Sequence, residues 1–415
     1  MGKEMKVVWL VNIAFPEICR ELGLPEPVIG GWLYSYRNAL KEFYPQLKLY
    51  IISPYEGIEI KCIEYDKYVY YMIPSAVSQN DMDKILFDIN NKINPDVVHI
   101  HGSEFYHSLS YINTCGANNA LLSIQGLISI CTLYYYGGIK NKVIDKYTTL
   151  RDILKRDTLK HQREKFRQKG TYEIALIKKM KNIVGRTSWD YSNCWAINPD
   201  IRYFKCEEAL RDSFYTNKWD ISKCRKHSIF LSQVYYPIKG LHKFLEALPV
   251  ILKQYPDVQV YVAGDDLTSK PAYKQSTYWN YLNSIIDKSC VRSHLHFLGT
   301  LSEKEMVRQY LSAHVFVCPS IIENSSNSVC EAQLIGTPVV ASYVGGMMDL
   351  IEDQKSGLLY RFEEAAMLAY KICSIFESDN LAYKLSVNER EVAMKRHDRK
   401  AIADSLYNIY TQINN

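Results

Sequence analysis

CPSIIENSSNSVCEAQLIGTPVVASYVGG, Cys318 to Gly346, decides the fold. It holds two glutamates, Glu323 and Glu331, separated by seven residues that are nearly all small and polar. On one continuous helix an eight-residue step turns the chain by about 800°, leaving the two carboxylates about 80° apart and aimed at different targets. The segment reads better as the end of an apolar strand, HVFVCPS, followed by a loop. A helix then begins somewhere in Ser325 to Ser328, stops at GTP, and leads into the strand PVVAS. This places Glu323 in the loop and Glu331 just inside the helix. Strand, loop, helix and strand in that order make one unit of a parallel α/β sheet.

The same alternation runs outward in both directions. MKVVWLVN, LKLYIIS, DKYVYYMI, DVVHIHG, ALLSIQG and KNIVGRT read as strands of a first half, with helices at about Trp32 to Phe43 and Asp81 to Ile93. HSIFLSQVY, DVQVYVAGDD, LHFLG, HVFVCPS and PVVAS read as a second alternating half. The expected fold is therefore α/β, with two doubly wound Rossmann-like domains. Residues 1–218 form the first and 219–390 the second, and a helix within 391–415 is expected to cross back onto the first. In open parallel sheets ligands collect beyond the carboxyl ends of the strands, so a central cleft between two such domains is the expected site.

The 415 residues are 47% hydrophobic and 23% charged, as in an ordinary globular protein. Eleven cysteines are scattered singly, with no C-x-x-C and no Cys/His cluster at ligand spacing, so neither zinc nor disulfides are expected in what reads as a cytoplasmic protein. MGKEMKVVWLVN reads as a first strand rather than a leader, and Phe105 to Ile139 is too interrupted by polar residues and glycines to span a membrane. The net charge of +5 is uneven: Ile139 to Lys181 holds fourteen Lys/Arg against five Asp/Glu. Such a block suits anionic lipid headgroups, phosphorylated ligands or nucleic acid, or is simply a solvated helical face. No base-reading motif accompanies it, so nucleic acid is not expected as a partner.

A nucleotide-diphosphate ligand needs a slot for its base, a partner for ribose hydroxyls and donors for phosphate oxygens. Glu331, early in its helix, suits a ribose diol. The backbone N–H groups of Ser326, Asn327, Ser328 and Val329 would lie at that helix's N-terminus, where orphan donors and the helix dipole favour phosphate. Lys239, in YYPIKGLHKF just before another helix, adds a point charge. Glu323 would then lie further along the ligand, beside whatever the distal phosphate carries, and a sugar suits it. Plainer readings stand beside these. Ser328 to Glu331 fits the capping box S-x-x-E, and Glu323 could be a solvated loop carboxylate.

In the first half, Gly30 and Gly31 follow the first strand and precede a helix, without the G-x-G-x-x-G of a nicotinamide fold. Alternation puts His99 and His101 on one face at the carboxyl end of a strand. The Asp81–Asp83 pair, at a helix start, reads as capping rather than as a metal site. Asp265–Asp266 is left open.

The order strand, E-x7-E, GTPVVAS, GG, with KG upstream, resembles family 4 of the retaining glycosyltransferases, which adopt the two-domain GT-B fold. PSIIENSSNSVCEAQLIGTPVVASYVGGMMDLIEDQKSGLLY carries most of the likeness. The resemblance implies that Glu323 contacts the donor sugar, Glu331 the ribose, and Lys239 the leaving diphosphate. It implies that Phe297 to Ser302, Leu298 and Leu301 among them, line the base and that Gly345–Gly346 allow a close chain turn. It also places Gly30 and Gly31 at the donor phosphate and His101 beside the transferred sugar. At the position aligned with Gln233 the family usually has an arginine, and a neutral amide stabilises phosphate charge less well. GRTSWDYSNCWAINPDIRYFKCEEALRDSFY is similar to members that build bacterial surface polysaccharides. There Arg186 is an acceptor or phosphate contact, or a surface salt bridge.

The function expected is a retaining, metal-independent, hexosyltransferase-like enzyme moving a sugar from a UDP- or GDP-type donor to a sugar or lipid-linked hydroxyl acceptor in surface polysaccharide or glycolipid synthesis. No cofactor is expected. The basic segment 139–181 would rest on the inner face of the plasma membrane. The alternatives are a nucleotide-sugar epimerase of the same fold, which makes no glycosidic link, and a non-catalytic nucleotide-sugar-binding protein.

Overall fold

A computed structural model describes residues 4–27 and 30–415. The chain divides into two compact units that interleave in sequence. The first holds the residues up to Ser129 together with Arg167–Arg211 and His397–Asn415; the second holds Ile130–Phe166 and Asp212–Arg396.

The first unit is built on an eight-stranded sheet. Its strands are β1 (Lys6–Leu10), β2 (Lys48–Tyr55), β3 (Lys61–Tyr65), β4 (Tyr68–Pro74), β5 (Val97–His101), β6 (Ala120–Ser123), β7 (Asn182–Gly185) and β8 (Arg202–Lys205). They lie in the order β3-β4-β2-β1-β5-β6-β7-β8, parallel throughout except that β3 runs against β4 at the edge. Four residues of β1 and all of β5 are buried, as strands covered on both faces must be. The helix Arg399–Asn414 supplies Ile402, Leu406 and Tyr410 to the same core as Trp9, Val97 and Leu121. The Tyr410 hydroxyl is 2.8 Å from Trp9 Nε1, which donates to it, and 2.8 Å from His99 Nδ1.

The second unit is an all-parallel six-stranded sheet. β9 (Ser228–Leu231), β10 (Gln259–Val262), β11 (Leu295–Phe297), β12 (Val315–Cys318), β13 (Val339–Ser342) and β14 (Leu358–Tyr360) lie in the order β11-β10-β9-β12-β13-β14. The central runs SIFL, VFVC and VVAS are wholly buried.

The sequence division at 218/219 put residues 130–166 with the first half, whereas they pack with the second unit. Single long-range contacts fix them there. The His242 imidazole bonds the Gly137 carbonyl at 2.8 Å, and the Tyr147 and Ser284 hydroxyls meet at 2.6 Å. Asp152, fully buried, accepts from the Thr277 backbone N–H at 2.6 Å and from its hydroxyl at 2.8 Å. It thereby caps the start of the helix Thr277–Ser289, whose own N-cap Ser276 gives no side-chain bond. None of the described residues forms a helix long and apolar enough to cross a membrane.

Candidate donor site in the second unit

Two loops at the carboxyl ends of β9 and β12 are joined backbone to backbone. After β9 the chain makes a single 3-10 turn, Pro237–Lys239, and Gly240 at φ +75° starts the helix Leu241–Gln254. A Cβ on Gly240 would stand 1.8 Å from the Pro319 carbonyl oxygen, so only glycine lets the loops meet. The Ile321 N–H donates to the Ile238 carbonyl at 2.7 Å across the junction. This brings together two side chains that are 84 residues apart. Lys239 Nζ lies 2.5 Å from Glu323 Oε1, and the Ser320 hydroxyl donates to the same oxygen at 2.8 Å. Both side chains keep a path to solvent, with 20% of Lys239 and 13% of Glu323 exposed. Burial works against the Lys239 ammonium, but Glu323 more than offsets it, so the pKa stands above the usual lysine value.

The other side of Glu323 is held by the turn after β13. Gly346 donates to the Glu323 carbonyl at 3.0 Å, and the Ser342 hydroxyl donates to the carbonyl of Ser320. The carboxylate is thus aimed by its backbone on one side and by Ser320 on the other.

The next helix runs from Asn327 to Ile335, with Ser326 as N-cap and Gly336 as its left-handed stop. Ser328 is therefore inside the first turn, which removes the capping-box reading of Ser328 and Glu331. Ser326 makes no capping bond with its side chain either. First-turn N–H groups such as those of Ser328 and Val329 have no acceptor within the helix, and the dipole there favours an anion. Glu331 sits a turn further in and is 9% exposed. The Tyr310 hydroxyl lies 3.2 Å from Glu331 Oε2 and 3.1 Å from the Ser328 carbonyl, fixing the carboxylate against the helix.

At the neighbouring strand ends, Leu298 donates to Val262 at 2.9 Å, and Gly264 and Gly299 pair backbone to backbone. Leu298 and Leu301 are half-buried on this rim. The Asp265 N–H donates to the Tyr235 hydroxyl at 2.9 Å. Gln233 is exposed in the loop after β9.

The remaining expected residues belong to the first unit. Gly30, at φ +83°, is the N-cap of the helix Gly31–Phe43, and a Cβ on Gly31 would stand 2.7 Å from Arg211 Cδ. The His99 and His101 rings share a face, their centroids 3.9 Å apart. His99 is bonded to Tyr410 and, at 2.9 Å, to Ser123. His101, fully buried, has no hydrogen-bond partner at either ring nitrogen, and burial pushes its pKa down to about 3. Arg186 is 6% exposed and bonds the Glu208 carboxylate at 2.7 Å and the Gln125 carbonyl at 3.4 Å. The salt bridge that stood as the alternative to an acceptor or phosphate contact is thus present, but buried rather than on the surface. Asp81 stands in the first turn of the helix Gln79–Ile93, which Ser78 caps.

Sequence reading missed Ser320 and Tyr310. A serine three residues before a loop acid is a weak signal that could have been followed. Tyr310, one of 33 tyrosines, had none.

Residues 214–392 match the family described as glycosyl transferases group 1. Spore coat protein SA of Bacillus subtilis is 27% identical over 175 residues, covering 42% of this chain and 45% of that protein. The chain thus spans less than half the length of this curated relative. A sucrose-phosphate synthase from Thermosynechococcus elongatus superposes with a TM-score of 0.71 at 16% identity, covering 99% of both chains. Anabaena HepE in complex with UDP-glucose superposes with a TM-score of 0.67 at 14% identity, over 98% of this chain and 100% of that one. At such identities the structural likeness speaks for the fold. Residues 214–392 are thus similar to the glycosyl transferases group 1 family, in a chain whose two parallel-sheet α/β units have the GT-B fold.

Proposed function

We propose that the protein is a cytoplasmic glycosyltransferase that transfers a sugar from a nucleotide diphosphate sugar to an acceptor hydroxyl, with retention and without a metal. One observation carries this reading: Lys239, in the turn after β9, pairs at 2.5 Å with Glu323, which stands in the loop that precedes the helix bearing Glu331. An ammonium and first-turn N–H groups suit a departing diphosphate. The Glu323 carboxylate suits hydroxyls of the transferred sugar, and Glu331 suits the ribose. The match of residues 214–392 to the group 1 family supports the assignment. The likeness to a fold solved with UDP-glucose supports a nucleotide-sugar donor, of UDP or GDP type.

For His101, Gly30 and Gly31, in the first unit, the roles that the resemblance implies are kept as part of this proposal. Arg186 is left out of the proposed acceptor contacts because Glu208 holds it. Surface polysaccharide or glycolipid synthesis, with a sugar or lipid-linked acceptor, is the proposed context.

The test is a thermal-shift screen of UDP, GDP, ADP and their sugars, followed by product analysis with simple glycoside acceptors in the presence and absence of EDTA. A glycosidic product whose anomeric configuration matches the donor's is expected. Inversion, or loss of activity on chelation, would overturn retention or metal independence. An epimerised sugar with no acceptor product would overturn transfer. The exposed amide of Gln233, where the resembled family has an arginine, favours a second reading: donor binding without turnover.

A further inference from the structure

The short helix Leu150–Leu154 is amphipathic with its sense reversed. Its one buried residue is Asp152, pinned beneath it by Thr277. Measured from Asp152, Leu150, Ile153 and Leu154 project at about 160°, 100° and 200° around the helix, which turns them to solvent. They are 79%, 52% and 84% exposed. The 3-10 turn Ala272–Lys274 packs beside this helix and adds Tyr273, 71% exposed. Large apolar side chains held outward by a buried charge and clustered over two elements are rare on a surface that meets only water.

The surround is basic. Lys155, Arg156, Lys270 and Lys274 are all exposed. Among the described residues none of the four is engaged in an ion pair, whereas nearby carboxylates have other partners: Asp145 holds Lys160 at 2.6 Å, Asp157 faces Lys165 at 4.0 Å, and Asp266 accepts from the Thr268 and Ser269 N–H groups at 3.0 and 3.2 Å. Apolar side chains ringed by unneutralised cations complement the acyl boundary and headgroups of an anionic bilayer.

We propose that this face of the second unit docks on an anionic phospholipid surface. Leu150, Ile153, Leu154 and Tyr273 would enter the headgroup boundary, and Lys155, Arg156, Lys270 and Lys274 would contact phosphates. The composition of 139–181 implicated the whole basic segment. The structure narrows it to its centre and adds residues 270–274, which composition did not mark. The inference does not depend on the transfer reaction.

The test is flotation of the full chain with vesicles of phosphatidylcholine alone and with added phosphatidylglycerol, at low and high salt. Wild type is expected on the anionic vesicles, and salt should weaken that binding. L150D/L154D and K155Q/K274Q should each lower partitioning by at least about tenfold. Melting temperature and affinity for soluble nucleotides should not move, because the substituted side chains are exposed. Those two readouts separate a failure of docking from a failure of the proposed chemistry. Wild type that ignores anionic vesicles, or L150D/L154D that floats as well as wild type, would overturn the proposal and leave a protein partner as the occupant of this face. If K155Q/K274Q floated like wild type, the headgroup contact would be overturned.

Discussion

Gly345 and Glu323 meet backbone to backbone: a Cβ on Gly345 would stand 1.9 Å from the Glu323 carbonyl oxygen, and Gly345 sits at φ +52°. No rotamer can relieve that overlap, because the obstructing atom is main chain. Gly345→Ala should therefore push the Glu323 loop away from Lys239. A fall of about a hundredfold in kcat/KM for transfer is expected, as for other small misplacements of a reacting group, with little change in nucleotide affinity. Unchanged turnover would show that Glu323 need not be held there.

Glu323→Gln keeps the side chain's size and its bond from Ser320 but removes the charge facing Lys239. Turnover is expected to fall by about 10²- to 10³-fold, while donor affinity stays within severalfold. Lys239→Ala should instead weaken binding of nucleoside diphosphates more than monophosphates. It should also cost about 1–3 kcal/mol of stability by leaving a largely buried carboxylate without its cation. Calorimetry and urea unfolding read the two effects separately.

If Glu331 holds the ribose, the wild type should prefer a ribonucleotide over its 2′-deoxy analogue by about 10- to 100-fold, the worth of a hydrogen bond to a charged group. Glu331→Gln should narrow that gap. An equal gap in both proteins, measured by competitive titration, would leave Glu331 as a structural partner of Tyr310.

Burial holds His314 at a pKa of about 4, against an ordinary 6.5. A folded-state value below the unfolded one means that the unfolded chain takes up the proton first. The stability His314 contributes is whole above about pH 6.5 and drains away toward pH 4, at up to about 1.4 kcal/mol per pH unit. Buried Glu389 has its pKa raised by burial and acts with the opposite sign. The measurement is therefore the difference between wild type and His314→Asn. In urea midpoints taken from pH 7 to pH 5, the wild type should lose more, and parallel curves would refute the assignment.

Tyr410→Phe removes one hydroxyl that Trp9 and His99 share from neighbouring parallel strands. A loss of about 1–3 kcal/mol is expected from two buried partners left without a bond. Chemical denaturation followed by tryptophan fluorescence would detect it.

The donor-site frame was legible because each of its breaks is made by a local rule. Pro319 follows the last residue of β12, the small polar run 324–326 leads to the N-cap of the next helix, Gly336 ends that helix in the left-handed region, and VVAS starts a new strand. The capping box failed for a local reason as well: Ser326, two residues earlier, took the N-cap position. What could not be read were choices made by distant partners. Whether Asp152 caps its own helix or one at Thr277, and whether Gly137 meets His242, depends on contacts over a hundred residues long. So 130–166 looked like part of the half it follows. Likewise, nothing local distinguishes a buried Arg186 from an exposed one until Glu208 is placed against it.

The route of the chain also orders its birth on the ribosome. β1 and β5 emerge early, yet Tyr410, which bonds both Trp9 and His99, belongs to a helix that follows every described strand. A nascent chain stalled before Arg399 must therefore hold an uncovered tryptophan surface while every later strand is already made. Protease digestion of such stalled chains should cut first around the oldest strands rather than the newest.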